Sequence, residues 1–312
     1  MSKTTLRLII ILIVLWGAAY IYKGPMQKKV SDQNKPENFL ANVDANALNK
    51  VVIVRNSATT TLIKEGDKFR IDGTKAFFID KETAQQIADS IQNAKEATFD
   101  IASTDEKKKE EFGTDKVGIK VSLEQSGKGP VDLIIGKLAD NFVDTYVSLA
   151  SGTETYSIGE NLVKVFDKED WYDKTLFNSD ASKVTKIRFQ YKNDQYVLEK
   201  TKDVWKGVKP SAFTANQEQL IDAITTMTSL KATKIPAQTF KGTGLEKNSI
   251  IVQINGEGID STLMVGDEYK ADAANKDAEK LYYAKKGDND NIYLISETSV
   301  KTLQKSLKDL KL

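Results

Sequence analysis

Two separated stretches of the chain carry apolar residues that alternate with polar ones, and each stretch predicts three short β-strands. The stretches are residues 50–73 and 185–207. They align with each other at Val51 and Ile187, Leu62 and Leu198, Lys64 and Lys200, and Phe69 and Trp205. The alternating apolar positions are Val52, Val54, Thr60 and Leu62 in the first stretch and Ile187, Phe189, Tyr196 and Leu198 in the second. The chain therefore contains an internal repeat of long period.

Each three-strand stretch leads into a segment whose apolar residues have helical spacing. These predicted helices span residues 80–94 and 214–230. Their apolar stripes are Ala84, Ile87, Ala88 and Ile91 in the first helix and Leu220, Ala223, Ile224 and Met227 in the second. One stripe on each helix indicates that the helices cover one face of a sheet.

A third block also occurs twice, as residues 112–137 and 242–267. Each copy predicts a β-hairpin with a glycine-containing turn, and its second strand ends at Gly136 or Gly266, where we expect a positive φ. Further hairpins follow at 145–159 and 280–296, with glycine in the turn, and short helices follow at 160–166 and 297–310. Matched glycines at the ends of matched strands strengthen the assignment of a repeat.

These elements predict an α+β fold of two tandem repeated units, each a mainly antiparallel sheet with one or two packed helices. We place the units at residues 47–178 and 179–312, because residues 178–183 are polar and lack apolar periodicity. Residues 167–177 form the connector between the two copies.

An N-terminal transmembrane helix is predicted before the repeats, within residues 1–23. Residues 8–22 carry no charge, and the apolar stretch counted from Leu6 is about 17 residues, roughly 25 Å as a helix. Basic residues lie on both sides of it, at Lys3, Arg7, Lys23, Lys28 and Lys29. A cleaved signal peptide is the alternative, since Gly17 and Ala19 are small, and a buried core helix is a second one. We interpret the segment as a single-pass anchor in a bacterial cytoplasmic membrane, with an extracytoplasmic soluble domain.

Residues 24–46 are rich in polar residues and predict a stalk. Phe39, Leu40 and Val43 stand apart from this composition and are expected to form one turn that docks on the first unit. The stalk is therefore predicted to be only partly extended.

Composition removes several classes of function. The 312 residues include no cysteine and no histidine, which excludes Ser-His-Asp and Cys-His catalysis, disulfides and thiolate metal sites. The net charge is +1, with 45 basic and 44 acidic residues and no basic recognition helix, so we predict no nucleic-acid binding. No cofactor or metal site is predicted, and the chain is not predicted to be an enzyme.

The connector is the candidate binding site. Its predicted binding residues are Trp171, Tyr172, Asp170 and Asp173. Acids beside aromatic rings are typical of a sugar site, and two carboxylates suffice for a glycosidase. The same rings would also seal the contact between two repeated units. The sequence leaves both interpretations open.

Two loops resemble ligand motifs without fitting them. Residues 127–138 contain a Gly-Lys pair, but the spacing and following Leu138 do not fit a phosphate-binding loop, and a hairpin turn is preferred. Residues 287–291 place oxygen ligands at alternate positions but lack the later glutamate of a calcium loop, so a structural turn is preferred. The charged run 107–111 is interpreted as the exposed face of a short helix that ends at Gly113.

The order of these motifs resembles that of a known family. The glycine-started block FGTDK or GLEKN, the segment VDLIIG or STLMVG, the hairpin YVSLASGTETYSI and the WYDKTLF motif before a new strand are similar to the bacterial membrane-anchored family called "domain of unknown function 4340". The resemblance implies an envelope accessory component, since genes of this family often neighbour ABC transporter permeases and gliding-auxiliary-type proteins. It supplies no catalytic residues.

The expected function is a membrane-anchored, extracytoplasmic, non-catalytic module that binds another protein of the envelope, such as an ABC transporter permease. An envelope glycan-binding protein or carboxylate-based glycosidase is the first alternative. A structural spacer is the second.

Overall fold

The computed structural model describes residues 36–74, 76–191, 194–247, 250–270 and 279–312. These residues form two compact units. Unit 1 contains the described residues up to Asp72 together with Lys81–Trp171, and unit 2 contains Gly73–Asp80 together with Tyr172–Leu312. The sequence places the division at residue 178, whereas the structure divides the chain after Trp171 and assigns the short segment Gly73–Asp80 to unit 2.

The predicted membrane anchor, and residues 24–35 of the predicted stalk, lie outside the described residues. Among the helices of the described ranges, none has both the length and the apolar character needed to cross a membrane.

Unit 1 is built on an eight-stranded antiparallel sheet with the strand order β3-β2-β1-β5-β6-β7-β8-β4. Its strands are β1 (Leu48–Arg55), β2 (Ala58–Glu65), β3 (Lys68–Ile71), β4 (Phe99–Ser103), β5 (Ile119–Gln125), β6 (Val131–Leu138), β7 (Thr145–Leu149) and β8 (Thr155–Ile158). All the strands predicted in the first copy are present.

Unit 2 has an eight-stranded antiparallel sheet of matching design, with the order β12-β11-β10-β9-β13-β14-β15-β16. Its strands are β9 (Val184–Tyr191), β10 (Asp194–Thr201), β11 (Val204–Lys209), β12 (Phe213–Thr214), β13 (Ile250–Gly256), β14 (Ile259–Tyr269), β15 (Leu281–Lys286) and β16 (Ile292–Ser296). The prediction of an α+β fold with two repeated antiparallel units is confirmed.

The helices occupy the predicted places, except that the single helix predicted over 297–310 is two short helices separated by residues 304–306. They are α1 (Lys81–Glu96), α2 (Lys109–Phe112), α3 (Leu162–Phe166), α4 (Gln217–Thr228), α5 (Glu297–Leu303) and α6 (Leu307–Leu310), with 3₁₀ turns at Ala45–Ala47, Glu106–Lys108, Ala181–Lys183 and Leu245–Lys247. The buried stripe of α4 includes the four predicted residues. In α1 the buried residues are Thr83, Ile87, Ser90, Ile91 and Ala94. Ala84 and Ala88 of the predicted α1 stripe are only half-buried.

Strand registers confirm the alignment of the two copies. Val51 pairs with Leu62 in unit 1, and the matching residue Ile187 pairs with Leu198 in unit 2. The buried positions of β1 differ from the alternating set predicted for it: Val51 and Ile53 are buried, whereas Val52 and Val54 are half-buried. Four consecutive apolar residues at 51–54 give no alternation from which the buried face could be chosen.

The eighth strand of each sheet was not predicted, and it differs between the units. β4 extends unit 1 next to β8, whereas the two-residue β12 extends unit 2 at the other edge, next to β11. At the edge of unit 2 that matches β4, Lys234 makes only an isolated bridge to Leu294. The shared framework is therefore seven strands.

Part of the predicted stalk belongs to unit 1. Leu40 and Val43 are fully buried, and the amide of Val43 donates to the carbonyl of Leu40 at 2.9 Å, so the expected docking turn is present. Asp44 caps the 3₁₀ turn before β1 as Asp180 caps the turn before β9. The pairs Leu40 with Leu176 and Asp44 with Asp180 have the same sequence separation as Val51 with Ile187. The repeat thus begins earlier than residue 50, and the end of the stalk corresponds to the end of the connector.

Each unit has a core between its sheet and its helices. The core of unit 1 includes Leu48, Val51, Ile53, Leu62, Ile87, Ile91, Val121, Leu123, Leu133, Ile135, Val147, Ile158, Leu162 and Phe166. The core of unit 2 includes Phe77, Leu176, Val184, Ile187, Phe189, Leu198, Trp205, Leu220, Ile224, Met227, Val252, Ile254, Leu263, Val265, Ile295 and Leu303. Phe69 and Trp205, which align in the repeat, are both buried.

Candidate functional site

The connector residues divide between the two units. Asp170 and Trp171 are the last residues of their segment of unit 1, and Tyr172 and Asp173 belong to unit 2. Trp171 is only 5% exposed, and Lys168 Nζ lies 5.7 Å from the centre of its ring. Asp170 is exposed. The indole of Trp171 is thus buried, with a cation–π contact on its face.

Tyr172 and Asp173 have structural contacts within unit 2. The Tyr172 ring meets Phe77 edge-on at 5.2 Å. The Asp173 amide donates to the carbonyl of Phe78 at 2.8 Å, and the Asp173 carboxylate accepts from the amide of Thr175 at 2.8 Å. A binding role for these four residues stays a prediction, and the contacts account for their positions in the fold.

Two other acids of the connector share one arginine. Arg55, at the end of β1, is hydrogen-bonded to Asp167 and lies 3.5 Å from Glu169. The hydrogen bond to Asp167 raises the pKa of Arg55 above its ordinary value. The shared guanidinium therefore ties the end of β1 to the residues that follow α3.

The protein has a pocket of about 400 Å³ in unit 2 and one of about 320 Å³ in unit 1 beside Arg55. The unit 1 pocket, here called the glycine pocket, is lined by Arg55, Asn56, Gly113, Val117, Gly118, Ile119, Ile135, Gly136, Lys137, Val163 and Asp167. Its charged side chains have partners in unit 1, because Arg55 binds Asp167 and Lys137 Nζ donates to the carbonyl of Glu111 at 2.9 Å. These charged groups are therefore engaged within unit 1.

The glycines of this pocket explain a recurring sequence motif. Gly113 ends α2 with φ 69°, a left-handed conformation that suits glycine. Gly136 was expected to have positive φ, and this was wrong for both Gly136 and its counterpart Gly266. A Cβ at Gly136 would lie 2.7 Å from Thr114 Cγ2 and closer still to the carbonyl oxygen of Phe112. Close approach of two backbone segments, and not backbone conformation, is the reason for glycine here.

Unit 2 repeats this arrangement. Gly244 has φ 71°, and a Cβ at Gly266 would overlap the carbonyl oxygen of Thr243. The amide of Asp267 donates to that same carbonyl at 2.7 Å. The paired glycines are therefore a framework feature of both copies, and they do not by themselves mark a ligand site.

The loop of residues 139–144 between β6 and β7, here called the Phe142 loop, displays an aromatic side chain to solvent. Phe142 is 77% exposed and has φ 59°, which is costly for a bulky residue. Val143 beside it is 54% exposed. Sequence reasoning missed this loop, although two apolar residues between Asp140 and Asp144 in a hairpin connection were a visible signal.

Hydrogen bonds hold the Phe142 loop closed. The amide of Ala139 donates to the carbonyl of Asp144 at 2.7 Å, and the amide of Phe142 donates to the carbonyl of Ala139 at 2.9 Å. The side-chain oxygen of Asn141 accepts from the amides of Val143 and Asp144 at 3.0 and 2.9 Å. The exposed ring is therefore presented on a braced loop with defined geometry.

The Phe142 loop and the glycine pocket lie at the same end of the sheet. Strand β6 ends at Leu138, directly before the loop, and the preceding Gly136 and Lys137 line the pocket. Ile119 begins β5 at this end, and Val117 just before it is 67% exposed. Exposed apolar side chains and a concave surface thus share one end of unit 1.

Comparison with protein families gives two matches to one family. The profile of the family described as "Domain of unknown function (DUF4340)" matches residues 70–209 and again residues 205–311. The chain belongs to this family. The first DUF4340 match starts in β3 of unit 1 and ends in β11 of unit 2, so the matched span is offset from the structural unit. Neither the curated proteins nor the solved structures contain a match to the chain.

In the described part of this DUF4340 chain, no group of three or more acidic side chains is placed to hold a metal ion. The loop 287–291 is a turn whose acids have nearby lysines, with Lys285 Nζ 2.9 Å from Asp290 and Lys286 Nζ 3.4 Å from Asp288. The residues 127–138 form the β5–β6 turn and β6, as predicted.

Proposed function

We propose that this DUF4340 chain is a membrane-anchored, extracytoplasmic, non-catalytic module that binds a protein partner. The binding surface is the end of unit 1 that carries the Phe142 loop. The anchor is assigned to the uncharged segment 8–22. An accessory role in an ABC-type transport or envelope assembly is inferred from the family resemblance. An anchored module is concentrated near membrane partners, so a small docking surface can suffice.

The exposed ring of Phe142 is the observation that carries the proposal. Left-handed φ costs a non-glycine residue about 1–2 kcal/mol, and exposure of the ring recovers little of that through burial. Aromatic side chains held rigidly at a surface are typical anchors of protein interfaces. A partner that buries Phe142 would recover the hydrophobic free energy that the free module leaves unused.

The same surface argues against a pure spacer. A spacer has no need of exposed apolar side chains, whereas Val117, Phe142 and Val143 are all more than half exposed at one end of unit 1. We infer a partner with an apolar pocket that accepts the Phe142 ring.

Cross-linking in the membrane tests this function. The full chain, with a photoactivatable residue at position 143, is irradiated in native membranes, and Phe142→Ser is compared with Ile221→Ser. Ile221 is 55% exposed on α4 of unit 2 and provides the matched control. We expect one dominant cross-linked protein that persists in I221S and is lost in F142S. A cross-link unaffected by F142S, or no specific cross-link, contradicts the proposed docking surface.

The location is tested separately by cysteine labelling. The chain has no cysteine, so Ser151→Cys at an exposed turn introduces a unique thiol. An extracytoplasmic module should react with a membrane-impermeant maleimide in intact cells whose outer layers are permeable to it. Labelling only after the cytoplasmic membrane is lysed would contradict the proposed orientation.

A further inference from the structure

Unit 2 contains the pocket of about 400 Å³, which lies between the start of β14 and the turn after β15. Its wall includes polar side chains of four types, with Gln253, Asp260, Ser261 and Lys286 among them. Phe177 and Met264 supply apolar surface. The volume lies within the range of small-molecule sites, and the mixture of groups differs from the glycine pocket of unit 1.

The duplicated fold provides an internal reference for this pocket. Ser261 pairs with Ile254 on β13, and the matching position of unit 1 is Val131, which pairs with Leu123 on β5. Lys286 pairs with Leu263, and its match is Leu149, which pairs with Leu133. Unit 2 thus carries a hydroxyl and an ammonium where the common framework accepts apolar side chains. Departures from the local pattern of a fold concentrate at functional sites.

The polar groups of the pocket are held in fixed positions. One carboxylate oxygen of Asp260 accepts from Gln253 at 3.2 Å and from Asn255 at 2.9 Å. Lys286 Nζ lies 3.4 Å from the Asp288 carboxylate and 5.6 Å from the ring centre of Phe177. The amide of Gly287 donates to the carbonyl of Thr262 at 2.8 Å, which joins the two edges of the pocket. Fixed donors and acceptors favour a ligand with several hydroxyl groups.

We propose that this pocket of unit 2 binds a neutral saccharide of one or two rings. Carboxylate, amide, hydroxyl and ammonium groups can pair with sugar hydroxyls as donors and acceptors, while Met264 and Phe177 can contact the ring carbons. Two carboxylates against one ammonium disfavour an anionic ligand. The site is independent of the protein-binding role proposed for unit 1.

Ligand-observed NMR tests the proposal with the full chain in a detergent that has no sugar headgroup. Maltose and the disaccharide of N-acetylglucosamine are the neutral probes, and glucose 6-phosphate is the anionic comparator. We expect saturation transfer to at least one neutral probe and weaker or no transfer to the phosphate. No transfer to either neutral probe, or preferred binding of the phosphate, overturns the proposal.

The double substitution Ser261→Val and Lys286→Leu restores the residues of unit 1 and removes the two diagnostic groups. We expect at least about a tenfold loss of affinity, since one charged hydrogen bond is removed. Lys301→Leu, which removes a lysine paired with Glu297 on α5, is the control and should bind as the wild type does. Asp260→Asn provides a second variant with minimal change of volume, and it should also bind more weakly. Unchanged binding by folded S261V/K286L, or by D260N, places the ligand elsewhere and overturns the site.

Discussion

A methyl group at Gly136 tests the role of the repeated glycines. The Cβ of Gly136→Ala would lie 2.7 Å from Thr114 Cγ2, about 1 Å inside ordinary carbon–carbon contact, and it would also overlap the backbone oxygen of Phe112. Because backbone atoms cannot rotate away as a side chain does, we expect a cost at the upper end of overpacking, about 3 kcal/mol.

Gly66→Ala separates this overlap from backbone strain. Gly66 has φ 65°, and a Cβ there would have no atom within 4 Å. Its substitution should cost only about 1 kcal/mol, because the penalty of the left-handed conformation is partly offset by the lower conformational entropy of the unfolded alanine variant. The difference of about 2 kcal/mol between the two variants measures the close approach at Gly136.

Urea unfolding of the full chain, followed by tryptophan fluorescence, provides the assay. Trp171 lies in unit 1, Trp205 in unit 2 and Trp16 in the predicted anchor. The double substitution Trp16→Phe and Trp205→Phe therefore leaves Trp171 as the tryptophan reporter, and it places at 205 the residue type that unit 1 has at Phe69. In that background we expect Gly136→Ala to lower the free energy of unfolding of unit 1 by about 3 kcal/mol, seen as a lower urea midpoint at an unchanged slope. A Gly136→Ala variant within about 0.5 kcal/mol of the parent, or equal to Gly66→Ala, would refute the reasoning.

Three further outcomes are expected. Phe142→Asn should leave the free energy of unfolding unchanged or raise it by up to about 1 kcal/mol in urea titrations. Asparagine tolerates positive φ, and the lost ring is mostly exposed. A loss above about 1 kcal/mol would show that the ring packs against the rest of unit 1. Tyr191→Phe should lower the free energy of unfolding by about 1–3 kcal/mol in the same assay. The Tyr191 hydroxyl donates to the Leu303 carbonyl at 2.7 Å and accepts from the Lys305 amide at 2.8 Å. A change under about 0.5 kcal/mol would contradict these hydrogen bonds. Burial raises the folded-state pKa of Tyr191 and Tyr293 above the unfolded value near 10. The stability that these two tyrosines contribute should therefore be complete below about pH 10 and be lost at higher pH, as measured by unfolding at a series of alkaline pH values, and Tyr191→Phe should reduce that loss.

The repeat could be predicted because its strands have one apolar face and matched turns. Residues such as Leu62 and Leu198 are single apolar positions between polar neighbours, so their burial follows from the pattern. The buried face of β1 could not be chosen in the same way, since residues 51–54 are all apolar. Strand β4 was missed because only Phe99 of its five residues is buried, as expected for an edge strand without clear alternation.

The candidate site was less accessible to sequence reasoning. The predicted cluster around Trp171 rested on composition, and the structure shows that the neighbouring Asp167 and Glu169 pair with Arg55, more than a hundred positions away in the sequence. Whether the side chains of Phe142 and Val143 face solvent or the core depends on tertiary packing, which the local sequence does not determine. Gly136 was correctly singled out, but a single chain cannot separate a need for positive φ from a close approach of backbones.

The segment Gly73–Asp80 has a consequence for the order in which the protein can fold during synthesis. Phe77 is made early, yet its ring packs in the core of unit 2, 5.7 Å from the ring of Tyr293, near the end of the chain. Unit 2 therefore cannot complete its core until almost the whole chain has emerged from the ribosome. A fragment that ends at Trp171 would carry Phe77 and Ile79 without the residues of unit 2, so we expect chaperone binding or aggregation of truncated products.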